Sequence, residues 1–99
     1  MRYKISEKAI EDIENIWCYT MKNWSVQQAD RYYQLIFDEI EHIAKYPLSG
    51  KNCSSIRKDY CCSKVKSHLI FYKYKKDENL IEIIRVLHQN MNIDERLND

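Results

Sequence analysis

Glycine and proline are nearly missing from this sequence: Gly50 and Pro47 are the only ones among 99 residues. So few leave no room for a flexible linker, and no repeat or low-complexity stretch breaks the chain. Residues 1–99 therefore read as a single domain with one modest core. No apolar run approaches the roughly 18 residues that a membrane span needs. The opening MRYKISEKAIEDIEN carries charge throughout and has no apolar signal-peptide segment, so the expected location is cytoplasmic, with no membrane partner. There is no CxxC and no paired Cys/His spacing of the zinc type. The four cysteines, Cys18, Cys53, Cys61 and Cys62, are accordingly read as thiols of structural or incidental role. No metal and no cofactor is expected.

What is present is a change of period. After RYKI, a short strand, Ser6 is a helix N-cap with Glu7 beside the positive end of the helix dipole. Ala9, Ile13, Ile16, Trp17 and Trp24 form one helical face, interrupted only by Thr20. SVQQ, residues 25–28, has the form of a capping box. The second helix follows, with Ala29, Tyr33, Ile36, Phe37, Ile40, Ile43 and Ala44 on one stripe. It stops near Tyr46, since Pro47 disfavours helix in the residue before it.

From Ile56 the pattern belongs to strands. IRKDYCC is one, SHLIFYKY (67–74) a stronger one, and LIEIIRVLH (80–88) the most apolar. KKDEN, residues 75–79, is the polar turn between the last two. Strict alternation along 80–88 places Ile81, Ile83 and Leu87 on one face and Leu80, Ile84 and Val86 on the other, as in a central strand. NIDERLND allows a short terminal helical turn. The fold class is α+β, in the order β-α-α-β-β-β, with an antiparallel helical hairpin packed on a small, mostly antiparallel sheet.

Charge is unevenly distributed. Between Lys51 and Lys76 there are eight basic residues and one acidic, Asp59. Such an excess attracts an acidic partner or blunts exposed strand edges.

Five stretches carry a family resemblance: Tyr19, Thr20, Trp24, Gln28 and Ala29 in the helical pair, then AKYPLSGKN, IRKDY, SHLIFYKY and IIRVLHQNMN. In this order, over roughly residues 3–97, the chain resembles the ParE branch of the ParE/RelE toxin superfamily. The resemblance implies the toxin of a type II toxin–antitoxin pair that inhibits DNA gyrase and so blocks replication. It also implies a cognate ParD-type antitoxin, partly disordered when free, and a toxin–antitoxin hetero-oligomer, with no sequence-specific nucleic-acid binding.

The sister branch cuts messenger RNA on the ribosome. That chemistry needs a base, an acid and positive charge for phosphate, and the candidates are Arg57, Lys66, Arg85 and His88. Alternation sends Arg85 and His88 to opposite faces, and Gln89, Asn90, Met91 and Asn92, which follow, transfer protons poorly. The expectation is therefore a protein without catalytic residues. Its target would meet Arg57, Lys64, Lys66, Arg85, His88, Met91 and Ile93, and its antitoxin Arg57, Lys58, Tyr33, Phe37 and Ile40. Relatives often carry a base and an acid where Asn90 and Asn92 stand. A toxin without activity, serving as an antitoxin-binding module, is the third alternative.

Overall fold

The computed structural model describes residues 2–98. β1 (Arg2–Ile5) leads into α1 (Glu7–Asn23) and α2 (Val26–Lys45). β2 (Lys51–Asn52), β3 (Cys61–Val65), β4 (His68–Lys75) and β5 (Leu80–His88) follow, and α3 (Ile93–Leu97) closes the chain. The strands form one sheet in the order β1-β5-β4-β3-β2, antiparallel except for the parallel pair β1 and β5. This is the α+β fold expected, with β5 near the centre of the sheet and one strand more than the expected order, the two-residue β2.

Both helices start at the serines named from sequence. Ser6 Oγ accepts from the Ala9 amide at 3.0 Å and donates to the Ile84 carbonyl at 2.7 Å, so one side chain starts α1 and ties it to β5. Ser25 Oγ accepts from the Gln28 amide at 3.1 Å. Only that half of the capping box forms, and Gln28 instead lines a cleft described below. Ala9, Ile13, Ile36, Ile40 and Ile43 from the helices meet Ile70, Tyr72, Ile81, Ile83 and Val86 from the sheet in the main core. Trp24, expected on the apolar face, lies at the hairpin tip instead and is 62% exposed.

Two strand expectations need correction. IRKDY is a loop, and β3 begins only at Cys61. Asn52 Oδ1 accepts from the Ser54 amide and Asp59 takes a positive φ of 67°, so local side-chain and turn chemistry displaces the ladder. β5 also departs from strict alternation. Tyr72 pairs with Ile83 and Phe71 with Arg85, so Ile84 is an extra residue, a β-bulge. Past the bulge the parity flips: Val86 joins Ile81 and Ile83 under the helices, and Leu87 turns to the opposite face.

That opposite face carries a second, smaller core of Cys53, Cys62, Phe71 and Leu87, against which Ile56, Tyr60, Ile93 and Leu97 pack. Cys53 and Cys62 are joined as a disulfide, with Cα atoms 6.1 Å apart. Four thiols were expected. The short ladder pairing Lys51 with Cys62 brings Cys53, just beyond β2, alongside β3. Cys61 points to the helix face and stays free, as does Cys18. The single glycine has a packing reason: a Cβ on Gly50 would lie 2.0 Å from the Tyr72 hydroxyl oxygen. That hydroxyl donates to the Pro47 carbonyl, and burial pushes its pKa up to about 12.

Candidate functional site: a cleft along the uncovered part of β5

β1 is only four residues long and pairs with β5 from Leu80 to Ile83. Beyond Ile83, β5 has no strand on that side, and α1 runs alongside it. Between them lies a cleft of about 880 Å³, walled by Ile16, Tyr19 and Thr20 of α1 and by Val86, Leu87 and His88 of β5. Tyr19 and Trp24 (each 62% exposed) and Met91 (42% exposed) give it an aromatic and apolar rim. Tyr19 and Trp24 lie with ring centroids 6.2 Å apart.

The uncovered edge is partly satisfied by α1. Asp12 Oδ2 accepts from the Val86 amide at 3.0 Å and from Arg85 Nε at 2.8 Å, while Oδ1 accepts from Arg85 Nη2 at 3.0 Å. The remaining Arg85 prong, Nη1, donates to the Arg96 carbonyl at 2.8 Å. Arg85 and Asp12 side chains are 12% and 13% exposed, so this two-pronged pair is largely desolvated. It binds three elements together: α1, β5 and α3.

Arg85 and His88 were expected on opposite faces. Their Cα positions do alternate, with Arg85 opposite Phe71 and His88 opposite His68. The long Arg85 side chain nevertheless reaches over the open edge to α1, and both residues border the same cleft. A short strand neighbour, invisible to alternation rules, permits this.

The residue that sequence reasoning undervalued is His68. It pairs directly across the sheet with His88, with ring centroids 5.2 Å apart in an edge-to-face arrangement. Its Nδ1 lies 2.5 Å from the Tyr32 hydroxyl, which also donates to the Val65 carbonyl at 3.0 Å. Burial, reinforced by the neighbouring His88 and opposed by Asp12, lowers the His68 pKa from 6.5 to about 4. His88 Nδ1 accepts from the Asn90 amide at 3.0 Å, which places its ring proton on Nε2. The signal for this pair was present in sequence only as two histidines near the ends of consecutive strands.

The other expected site residues scatter. Arg57 lies on the far face. It donates to Asp94 Oδ1 at 2.5 Å, to the Asp94 carbonyl at 2.9 Å and to Asn98 Oδ1, so it anchors α3. Ile93 packs on the small core beside it. Lys64 and Lys66 are exposed and border a separate hollow near Asp38 and Glu39 of α2. Lys58 is exposed on the loop. Tyr33, 43% exposed, stacks on the partly buried Phe37 with centroids 4.8 Å apart. Ile40 is 0% exposed, because the α2 stripe that carries it faces the sheet, and so it offers no surface to an antitoxin. Of the four residues named for RNA cleavage only Arg85 and His88 share a cavity; Arg57 lies across the sheet, and Lys66 borders two hollows beside α2, one of which it shares with Thr20, Gln28 and Tyr32.

Comparison with known proteins agrees with this architecture. A family profile described as the ParE toxin of the type II toxin–antitoxin system, parDE, matches residues 3–93. A Toxin ParE1 of Mycobacterium tuberculosis (strain H37Rv) is 36% identical over 96 residues, covering 97% of each chain. A Toxin ParE1 of Caulobacter vibrioides is 38% identical over 90 residues, covering 91% of each. Among solved structures, a chain of the chromosomal ParDE system from P. aeruginosa superposes with a TM-score of 0.77 over 89% of this chain and 95% of that one. At 17% identity that likeness speaks for the fold alone. With a family profile and two relatives agreeing over nearly its full length, the chain belongs to the ParE toxins of type II toxin–antitoxin systems.

Proposed function

We propose that this toxin acts as a protein ligand rather than an enzyme: free, it inhibits DNA gyrase in the cytoplasm, and a ParD-type antitoxin neutralises it by occupying the cleft beside β5. The observation that carries the reading is the cleft itself. It is largely apolar, rimmed by exposed Tyr19, Trp24 and Met91, and flanked by strand backbone that β1 leaves uncovered. Grooves of this kind take an extended or helical segment of another protein, with aromatic anchors supplying the affinity. Exposed Lys58, Lys64 and Lys66 add an electrostatic pull on an acidic chain. The two arginines best suited to phosphate are already engaged within the fold, Arg85 by Asp12 and Arg57 by Asp94.

The test is induction in bacteria without the antitoxin, with DNA and protein synthesis followed separately by pulse labelling. Replication falling first supports the gyrase reading, and supercoiling by purified gyrase should then fail in the presence of the toxin. Translation stopping within minutes while replication continues would overturn it. One feature favours that second outcome, the His68–His88–Tyr32 cluster at the cleft floor, which holds groups able to move a proton. In that event His68→Ala and His88→Ala should each abolish the arrest of translation.

A further inference from the structure

The disulfide and the anchor of α3 are parts of one small unit on the far face of the sheet. Cys53 and Cys62 close the loop of residues 54–61, and Arg57 sits inside that loop. Backbone contacts keep the loop folded around it: the Cys53 amide donates to the Tyr60 carbonyl at 2.8 Å, and the Arg57 amide to the Cys53 carbonyl at 3.2 Å. From there Arg57 reaches Asp94 and Asn98 of α3, while Ile56 and Tyr60 share the small core with Ile93 and Leu97. α3 is five residues long, too short to persist without those contacts. Its Arg96, with Asn90 and Met91 just before it, lines the cleft on the other side.

We infer that the Cys53–Cys62 pair is a redox clasp: oxidised, it holds the 54–61 loop and so docks α3, and reduced, it releases both and loosens one wall of the cleft. The step is ordinary thiol–disulfide exchange. A cellular dithiol attacks one sulfur, the Cys53–Cys62 bond breaks, and two electrons and two protons pass to the pair as two thiols while the dithiol leaves as its own disulfide. Both cysteines retain a few per cent exposure, and the edge strand beside them has two residues, so local opening admits a thiol. Cys61 cannot replace Cys62, because it packs on the helix face of the sheet against the main core. Its thiol is also pushed up in pKa by burial. The consequence for partner binding rests on the function proposed above; the clasp itself does not.

Hydrogen exchange on the full chain alone, oxidised and then reduced with dithiothreitol, separates the two. Amides of residues 53–60 and 93–98 should exchange about tenfold faster on reduction, with α1 and α2 unchanged, as expected when a short loop constraint is removed. The same exchange rates should appear in unreduced Cys53→Ser/Cys62→Ser protein. Arg57→Gln should free residues 93–98 with the disulfide intact, which tests the link without touching sulfur. The Cys18→Ser/Cys61→Ser protein should keep the full redox response. Residues 93–98 exchanging at one rate in both redox states, or slow exchange there in oxidised Arg57→Gln, would overturn the clasp, whatever the toxin binds.

Discussion

On one face of the sheet, helices of 17 and 20 residues lay a continuous apolar stripe over Ile70, Tyr72, Ile81, Ile83 and Val86. On the other, a loop and a five-residue helix cover Phe71 and Leu87 with the help of a disulfide and one arginine. The first cover is held by buried area, which is non-directional and tolerant. The second has little area and depends on a few directional contacts, each of which can be undone alone. A domain of this size has little surface to bury, and the weaker face is held by fewer contacts.

The largest effect that would break this comparison comes from one isoleucine on each side. Ile40→Ala removes a fully buried side chain from the main core and should cost about 3 kcal/mol in urea unfolding. Ile93→Ala, on the partly exposed α3, should cost about 1 kcal/mol and leave the unfolding transition cooperative. Equal losses would mean the two faces are equally important.

Next is the joint between the faces. Asp12→Ala leaves the Arg85 guanidinium without its carboxylate and the Val86 amide without an acceptor, and should cost about 3 kcal/mol. Glu82→Ala, which removes the partly exposed 3.4 Å pair with Lys75, should change stability by less than about 0.5 kcal/mol.

A smaller effect is readable by pH. The folded-state pKa of His68, about 4, lies below its ordinary value of 6.5. Between these values the unfolded chain binds a proton that the folded chain does not. Stability is therefore complete above about 6.5, declines as pH falls toward 4, and then levels. At a half-buried site the loss is on the order of 1 kcal/mol after screening is allowed for. His68→Gln should flatten the stability profile in that window, and an unchanged slope would sink the assignment.

The smallest prediction concerns Lys66, in the tight turn from β3 to β4, whose φ is 54°. Lysine is strained in that left-handed region, where asparagine is tolerated. Lys66→Asn should raise stability by about 0.5 kcal/mol, measured as a higher urea midpoint, with the cleft undisturbed.

Much of the fold was legible in advance. Ser6 and Ser25 cap the helices as local chemistry requires, and the stripe from Ala29 to Ala44 faces the core except at Tyr33, which is 43% exposed. The candidate cleft was legible only in part. Arg85, His88 and Met91 do meet at one cleft, but Arg57 and Ile93 went to α3, and Ile40 went to the core. The reading of 80–88 failed at a single residue, Ile84, because a bulge depends on the partner strand and leaves no mark on the alternation itself. The disulfide was likewise unreadable, since only strand pairing tells which of Cys61 and Cys62 faces Cys53.

The sequence by itself determined the helical hairpin, the two long strands β4 and β5 and the family, because those depend on periodicity, capping and residue order along the chain. The tertiary structure alone decided which arginine meets which carboxylate, that two histidines stand side by side, and that two of four cysteines are joined. Each of those depends on register and on where a short neighbouring strand stops, quantities set between segments rather than within them.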